Sequence, residues 1–393
     1  MNYKEVLKEH GTDIEVTLLR FCQDEKLYKR FLERFFRGEN VERIREICKD
    51  EKYQELEIAT HTYKGVCGNL GLSKLQKYFE EIREKIRKEN YKNLEELIEK
   101  ALKEKKNAVI LAHCYQPVEI DKVADYVGDS LHLSQVASKT DADIIIFAGV
   151  YFMAQTAKLL SPNKKVLLPQ IEAGCRMADM ISFRQLKEFK AQHPDIPTVC
   201  YVNSTAEVKS ECDMCCTSSN AVKIVKSMGV PKILFLPDTY LGKWVEKQLG
   251  NVEVITYPGF CPTHLQIRPN DIENARKAHP EALVLAHPEC HMSVSSIADY
   301  VGSTTGIMKF AKESDNKSFI IATEQGVVDR LKRDLPDKEI IPVKENIICP
   351  NMKMTSLEDI LHVLETEENE IFVDENIAPK AVKCINRMLE VSK

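Results

Sequence analysis

The chain has 393 residues, with 44% hydrophobic and 29% charged side chains and a formal net charge of -5 at pH 7. This composition is typical of a globular protein with a sizeable core, and the length predicts two to four compact units. The net negative charge gives no global electrostatic reason to expect nucleic acid binding. No run approaches the roughly 18 apolar residues of a membrane span, and Met1–Glu5 does not open a signal peptide, so we expect a cytoplasmic protein.

The first part of the chain, residues 1–92, has the pattern of an all-α helical bundle. It contains no proline and is dense in Glu, Lys and Arg. Its apolar residues recur at helical spacing, as in Leu27, Phe31, Phe35, Leu75, Phe79, Ile82 and Ile86. We therefore predict a separate helical domain before residue 93.

The pattern changes near Asn107, where short apolar runs begin to alternate with amphipathic segments. The runs include Ala108–Leu111, Ile144–Phe147 and Val166–Leu168. Such alternation is typical of α/β units with parallel strands. The prediction for residues 93–393 is therefore an α/β region.

One motif recurs inside the α/β region. Residues 112–130 read AHCYQPVEIDKVADYVGDS, and residues 286–304 read AHPECHMSVSSIADYVGST. A weaker middle copy, recognised by position and pattern, lies at residues 199–225. Copies of roughly 87 residues predict three αβα units about a pseudo-threefold axis. The approximate bounds are 105–178, 179–265 and 266–352, followed by a helical tail at 353–393.

Each copy ends on a cysteine, namely Cys175, Cys261 and Cys349. Thirteen cysteines in a chain without a secretory signal favour metal or redox chemistry over disulfides. Three thiolates that meet on one axis could hold zinc, with His264 as fourth ligand. They could also hold an iron–sulfur cluster with one iron left open as a Lewis acid. The repeat alone does not choose between these metals.

Ten motifs together resemble the quinolinate synthase family, the A protein of NAD biosynthesis, over about residues 94–393. They are ILAHCYQ, ADYVGDSLHLS, FAGVYFMAQTAKLLSP, EAGC, YVNSTAEVK, CTSSNAV, GFCPTH, HPEC, VGST and CPNMKM. The resemblance implies three αβα domains around a [4Fe–4S] cluster held by Cys175, Cys261 and Cys349. It also implies condensation of iminoaspartate with dihydroxyacetone phosphate to quinolinate, phosphate and water.

The same resemblance implies a set of site residues. As catalytic groups it implies Glu289, Tyr115 and His113, with Glu289 as general acid or base. As substrate-binding groups it implies His113, Ser130, Tyr201, Asn203, Ser218, His264, His287, Glu289, Ser303 and Thr304. For the hydroxyl residues, helix capping is an alternative role, because GDS, TSS and GST are good N-cap sequences.

The N-terminal bundle resembles a histidine phosphotransfer domain. The family pattern His-x-x-Lys-Gly stands here as His61-Thr62-Tyr63-Lys64-Gly65, within ATHTYKGVCGNLGLSKL. This resemblance makes His61 a candidate phosphoacceptor, with a response regulator or kinase as partner. The alternative is a docking or dimerisation bundle in which His61 is a remnant.

Two other functions remain open from the sequence. One is another iron–sulfur lyase, and the other is a cluster-bearing sensor with a phosphorelay bundle. If the chain acts as the resemblance to quinolinate synthases implies, we expect iminoaspartate to come from an L-aspartate oxidase or an aspartate dehydrogenase. We expect no nucleic acid and no membrane as partners.

Overall fold

The structure is a computed structural model, and it describes residue 7, residues 12–38 and residues 40–393. The described chain forms two compact units. One contains the described residues up to Val109 with the short segments Ala142–Ile144 and Leu364–Glu367, and the other contains the rest. None of the helices within the described ranges is long and apolar enough to cross a membrane.

The first unit consists of helices, as the sequence predicts. They are α1 (Ile14–Arg20), α2 (Glu25–Arg37), α3 (Asn40–Lys49), α4 (Tyr53–Leu70), α5 (Ser73–Arg87) and α6 (Leu94–Lys106). Asp13 and Asp24 cap α1 and α2 by accepting backbone N–H groups of the first turn. Gly71 ends α4 in the left-handed conformation, with φ 76°.

Apolar side chains spaced for one helical face form the core of this unit. Leu56, Phe79, Ile82 and Ile98 are fully or almost fully buried. Tyr28 is also buried, and its hydroxyl donates a hydrogen bond of 2.9 Å to the Leu70 carbonyl at the end of α4. The bundle therefore fixes the helix that carries His61.

The second unit is built on three parallel four-stranded sheets, in agreement with the predicted α/β class. Their orders are β2-β1-β3-β4, β6-β5-β7-β8 and β10-β9-β11-β12. The strands are β1 (Ala108–His113), β2 (Tyr126–Gly128), β3 (Ile144–Ala148), β4 (Lys165–Leu167), β5 (Thr198–Tyr201), β6 (Met214–Cys216), β7 (Lys232–Leu236), β8 (Glu253–Thr256), β9 (Leu283–Ala286), β10 (Tyr300–Val301), β11 (Ser318–Ala322) and β12 (Glu339–Pro342). Each copy of the sequence repeat thus supplies one sheet with one strand order.

The register also repeats, which supports the weaker middle copy. The corresponding pairs are Leu111 with Tyr126, Val199 with Met214, and Leu285 with Tyr300. In each copy an aspartate just before the second strand accepts a backbone N–H of the first strand at 2.8 Å. The three pairs are Asp125 with Ile110, Asp213 with Thr198, and Asp299 with Val284.

Helices connect the strands and follow the last sheet. They are α7 (Ser130–Ala137), α8 (Tyr151–Leu160), α9 (Phe183–Ala191), α10 (Ala206–Ser210), α11 (Ala221–Ser227), α12 (Thr239–Leu249), α13 (Pro269–Ala278), α14 (Met292–Ser295), α15 (Thr304–Glu313), α16 (Gln325–Asp334), α17 (Leu357–Thr366) and α18 (Ala378–Val391). Parallel strands place their carboxyl ends at one edge of a sheet, where ligands bind in such folds. The repeat motifs lie at these edges.

Candidate active site and metal centre

The candidate site begins at the ends of the first strands of the three sheets. Two positions at each strand end carry a predicted site residue. The first position is occupied by His113, Tyr201 and His287, and the second by Tyr115, Asn203 and Glu289. All six side chains line one cavity. The repeat therefore delivers different functional groups to equivalent backbone positions.

The hydroxyl residues lie at the starts of helices beside the same cavity. Ser130 and Thr304 are the first residues of α7 and α15, and Ser218 lies shortly before α11. All three line the cavity. Ser303 does not line it; its hydroxyl instead accepts the Gly306 amide at 3.1 Å and caps α15. For Ser303, capping is therefore the role that its contacts support.

The three candidate cysteines reach the cavity on loops with a common anchor. In each copy, the first residue of a helix donates its N–H to the carbonyl two residues before the cysteine. The bonds join Tyr151 to Ala173 at 2.7 Å, Thr239 to Gly259 at 2.9 Å, and Gln325 to Ile347 at 2.8 Å. Cys175, Cys261 and Cys349 all line the cavity and are partly exposed. The other cysteines are buried, apart from the exposed Cys22.

Glu289 has the most polar contacts among the predicted catalytic residues. The Tyr201 hydroxyl donates to its Oε1 at 2.6 Å, and His264 Nδ1 lies 2.9 Å from its Oε2. Burial by itself raises the pKa of Glu289, but the charge that His287 and His264 carry when protonated, together with hydrogen bonds from His264 and the Tyr201 hydroxyl, holds that pKa below its ordinary value. Glu289 is therefore an ionised carboxylate inside a closed polar network.

Tyr115 is linked to this network through hydroxyl groups. Its Oη is 3.2 Å from Thr323 Oγ1 and accepts a hydrogen bond of 3.2 Å from Thr304. Thr323 Oγ1 is also 2.8 Å from His264 Nε2. Burial and the Glu289 charge raise the pKa of Tyr115 well above its ordinary value, so the phenol stays protonated.

The two strand-end histidines have the same local hydrogen bond. His113 Nδ1 accepts the Tyr115 amide at 3.1 Å, and His287 Nδ1 accepts the Glu289 amide at 3.3 Å. Burial lowers the pKa of His113 to about 4 and that of His287 to about 3. Both rings are therefore neutral at pH 7. With Nδ1 as acceptor, the proton of each ring is on Nε2.

His287 uses that second nitrogen inside the site. Its Nε2 is 3.3 Å from the Ser218 hydroxyl, so the ring can donate to this oxygen. Its ring also stacks on that of His264, with centroids 4.7 Å apart. These contacts fix the plane of the imidazole beside Glu289.

Two metal sites can be compared with the geometry: one formed by Cys261, His264 and Glu289, and the zinc site of three cysteines with His264 that the sequence left open. The ligand atoms of Cys261, His264 and Glu289 lie within 4.8 Å of one another, close enough to share one ion. Cys175 and Cys349 do not belong to this group. A zinc ion held by the three cysteines and His264 would need all four ligand atoms in one tight tetrahedron. The geometry therefore does not favour that zinc site.

The structure adds site residues that sequence reasoning missed. Asp129 and Arg176 line the cavity, and Thr323 joins Tyr115 to His264. Asp129 precedes a predicted hydroxyl, Arg176 follows a predicted ligand cysteine, and Thr323 follows the end of β11. The signal that the sequence offers for each of these three residues is its position beside a motif residue or a strand end. The contacts that distinguish these residues from their neighbours depend on the tertiary structure.

His61 lies in the helical unit, on an exposed face of α4. Lys64, one turn further on, is paired with Glu80 of α5. A Cβ built at Gly65 would meet nothing within 4 Å, so this face is open next to the histidine. The accessible imidazole and open surface agree with the predicted pattern, whereas the Glu80 pair partly neutralises the lysine.

Taken together, the α/β unit has the features of an enzyme with a buried acid–base network and cysteines placed for a metal centre. Comparison with known proteins narrows this class. Residues 96–390 match the sequence model of the family described as quinolinate synthetase A protein. The chain therefore belongs to this family.

Individual relatives agree with the family match. The chain is 52% identical over 292 residues to a quinolinate synthase from Alkaliphilus metalliredigens, covering 74% of this chain and 96% of the relative. It is 49% identical over 298 residues to one from Thermodesulfovibrio yellowstonii, covering 76% of this chain and 98% of the relative. These relatives are matched almost end to end, while the family model leaves the first 95 residues of this chain unmatched.

Proposed function

We propose that the α/β unit synthesises quinolinate. In this reaction iminoaspartate condenses with dihydroxyacetone phosphate, with loss of phosphate and water. The observation that carries the proposal is one cavity that gathers Glu289, Tyr115, His113 and three candidate ligand cysteines from three repeats. The family membership and the names of the relatives supply the substrate class.

The proposal includes the arrangement of the repeats. Three sheets of equal strand order, with equivalent residues lining one cavity, support three αβα domains about a pseudo-threefold axis. The domain bounds proposed from the sequence are 1–92 for the bundle and 93–393 for the catalytic region. The repeats occupy approximately 105–178, 179–265 and 266–352, with the tail at 353–393.

A [4Fe–4S] cluster is the proposed cofactor, held by Cys175, Cys261 and Cys349. The donor set fits, because three partly exposed thiols reach one cavity without a fourth cysteine among the residues that line it. Burial raises the pKa of each thiol, so a bound cationic centre would be what stabilises the thiolates. When bound with three protein ligands, such a cluster supplies Lewis acidity at the open iron.

Proton transfer is assigned to Glu289 with Tyr201 and His264. Isomerisation of a hydroxyketone phosphate requires removal of a proton beside a carbonyl, which an ionised carboxylate can accept. The Tyr201 hydroxyl and His264 donate to the two Glu289 oxygens and orient them. The neutral His113 ring and the protonated Tyr115 phenol then act as hydrogen-bond donors to substrate oxygens.

Binding of the anionic substrates is assigned to neutral donors at helix starts. Ser130, Ser218 and Thr304 place hydroxyl groups in the cavity beside the N-terminal ends of helices. The Asn203 Oδ1 atom is buried and has no hydrogen-bond partner among the described residues, which suits a group that accepts from a substrate donor. Arg176 adds a cation at the exposed side of the cavity.

An anaerobic assay tests this function. The purified full chain is analysed for iron and supplied with iminoaspartate and dihydroxyacetone phosphate. We expect about four irons per chain and formation of quinolinate, and loss of both when the Cys261→Ser variant replaces the wild type. Zinc in place of iron without turnover, or a different product, would overturn the proposal and favour a sensor or another lyase.

We also propose His61 as a phosphoacceptor for a response regulator or kinase. Its exposure on α4 and the open surface over Gly65 support access by a protein partner. A docking or dimerisation role is the alternative outcome. Incubation with a phosphorylated response regulator should put acid-labile label on the wild type and on His362→Ala but not on His61→Ala. Equal labelling of all three, or none, would exclude the phosphoacceptor role.

The proposed reaction also implies a supplier and a compartment. Iminoaspartate would come from an L-aspartate oxidase or an aspartate dehydrogenase. A cytoplasmic site of action is part of the same proposal. Production of quinolinate from aspartate after addition of either enzyme to the assay would support the link.

A further inference from the structure

Lys209 is a fully buried lysine outside the set of predicted site residues. Its Nζ donates to the carbonyl of Val202 at 2.8 Å and also to the carbonyl of Ser204. No carboxylate within the described chain pairs with it, and the Phe152 ring lies 5.5 Å from its Nζ. A buried lysine whose polar partners are two carbonyls has a specific task, because burial of its amine is costly.

Asn203 lies between those two carbonyls and points its side chain into the cavity. The Val202 carbonyl belongs to the peptide plane before Asn203, and the plane after Asn203 is held by the Ser204 amide, which donates to the same Val202 carbonyl at 2.8 Å. The Ser204 carbonyl, which the Lys209 amine also holds, lies one plane further along the chain. The Lys209 amine therefore limits the orientation of Asn203.

Arg330 makes the corresponding contacts in the first repeat. It is 1% exposed, and its Nη1 donates to the carbonyls of Cys114 at 2.7 Å and Gln116 at 2.9 Å. Tyr115 lies between these two carbonyls, at the position equivalent to Asn203. Its own carbonyl accepts a hydrogen bond from Lys353. The same pair of carbonyls is thus held by a buried basic group in two repeats.

The two basic groups come from different places, and Asp121 explains the difference. Each repeat has a single helical turn after the strand end, at Val118–Lys122, Ala206–Ser210 and Met292–Ser295. Lys209 and Asp121 occupy the same position in this turn. Asp121 pairs with Arg330, a residue of α16 in the third repeat. In the first repeat the two carbonyls are therefore held by an arginine from the third repeat, whereas in the second repeat they are held by that repeat's own Lys209.

We propose that Lys209 and the Arg330–Asp121 pair are positioning residues that hold Asn203 and Tyr115 in their orientations in the cavity. This inference rests on the proposed function. Two chemically different solutions to the same task, at equivalent positions, are what selection for that task would produce. A core that needed only filling would be served by apolar side chains at lower cost.

The third repeat provides the contrast. Ser295 occupies the position of Lys209, and no basic side chain among the described residues donates to the carbonyls of Pro288 or Cys290. Glu289, which lies between them, is held through its side chain by Tyr201 and His264. Among the described residues, a basic side chain therefore holds the two neighbouring carbonyls where the site residue is the neutral Asn203 or Tyr115. None does so at Glu289, whose carboxylate is already held.

The test separates turnover from substrate binding. Arg330→Met should lower kcat about 100-fold, since a small misplacement of a catalytic group has an effect of this size. Lys209→Met should mainly raise KM, because Asn203 is assigned to binding. Iron content and the thermal unfolding midpoint are measured alongside, and they should change far less than the kinetic constants. A purely structural role would move kcat and KM together with iron content in both variants, and this result would overturn the inference.

A rescue variant makes the test independent of folding losses. The double variant Asp121→Lys with Arg330→Met transplants the lysine solution of the second repeat into the first. It should recover at least about tenfold of the kcat lost in Arg330→Met, since an amine again reaches both carbonyls. If Arg330→Met does not fold, Arg330→Gln takes its place, and wild-type kcat in that variant would refute the role.

Arg333→Met is the matched control. Arg333 pairs with the same Asp121 at 2.7 Å, but it is half exposed, and within the described chain its hydrogen bonds go to Asp121 and Asp334 rather than to the carbonyls beside Tyr115. This variant should retain the wild-type kcat and KM. Absence of quinolinate formation by the wild type would overturn the proposed function, whereas an active wild type with an equally active Arg330→Met would overturn the positioning role alone.

Discussion

Histidines in the two compact units are held in opposite ways. In the α/β unit, His113 and His287 are buried, and a backbone amide occupies Nδ1 of each ring. In the helical unit, His61 is exposed on α4 beside an open surface. A fixed, neutral imidazole in a cavity suits a small substrate, whereas an accessible imidazole on a helix can be reached by another protein. The difference is that the same residue type is buried and hydrogen-bonded in one unit and exposed in the other.

Loss of a ligand cysteine is expected to have the largest effect on the α/β unit. Cys175→Ser should remove both the iron and the formation of quinolinate, because serine replaces a thiolate that the proposed cluster requires. Iron analysis and the activity assay measure the two losses.

Cys22→Ser is the matched control, since Cys22 is the exposed cysteine of the helical unit. It should retain the iron and the activity of the wild type. Full iron content in Cys175→Ser would show that this residue is not a ligand.

Glu289→Gln is expected to have the next largest effect. The amide keeps the shape of the side chain but cannot accept a proton as the carboxylate does, so activity should fall by at least about 100-fold. Iron content should remain that of the wild type. His61→Ala, in the helical unit, should leave quinolinate formation within about twofold in the absence of a phosphodonor. Equal losses in the two variants would break the division of tasks between the units.

The α/β fold could be predicted from sequence because its signals are local and repeated. Alternating strand and helix patterns predicted the class, the repeat indicated the three closing cysteines, and the resemblance to the family supplied the other candidate site residues. The weak middle copy is recognisable in the structure by the register of Val199 with Met214 and by the Asp213 hydrogen bond. These backbone features tolerate large changes in side chain identity.

Contacts between repeats could not be predicted in the same way. Arg330 lies far along the chain from the carbonyls that it holds, and no motif marks it. Asp121 reads as an ordinary helical acid until Arg330 is placed beside it. Thr323 likewise acquires a role only through Tyr115 and His264. Sequence periodicity reports which face a residue occupies, but it does not report the partner on a distant segment.

The buried His113 predicts a smaller effect, on stability against pH. Its pKa is about 4 in the folded state and about 6.5 when unfolded. Burial is the main cause, while Asp129 and Glu289 raise this pKa and Arg330 and Lys353 lower it. Between these values the unfolded chain binds more protons, so the free energy of unfolding should fall as pH decreases from about 6.5 to about 4.

Trp244, the single tryptophan of the chain, lies in α12 and reports unfolding of the α/β unit by fluorescence. His113→Asn should reduce the loss of stability over this range. At pH 8 the comparison of the two proteins measures only the lost contacts. An unchanged dependence in His113→Asn would show that this histidine does not contribute.

The smallest expected effect concerns the stability of the helical unit at Gly65. Gly65 lies inside α4, where glycine costs roughly 0.5–1 kcal/mol relative to alanine, and an added Cβ would meet nothing within 4 Å. Gly65→Ala should therefore stabilise the bundle by about that amount, measured by hydrogen exchange of α4. Gly71→Ala should instead destabilise it, because Gly71 has φ +76° and an added Cβ would overlap Thr17 Oγ1.

The rate of phosphotransfer to His61 is a second quantity that can be measured on Gly65→Ala. If the space over Gly65 admits a partner to His61, the added methyl group should slow labelling from a phosphorylated response regulator even though the helix is more stable. Stability and labelling would then change in opposite directions, which a purely structural glycine would not produce. Unchanged labelling with increased stability would mean that no partner uses this surface, and a docking or dimerisation role elsewhere on the bundle would become the better account of the helical unit.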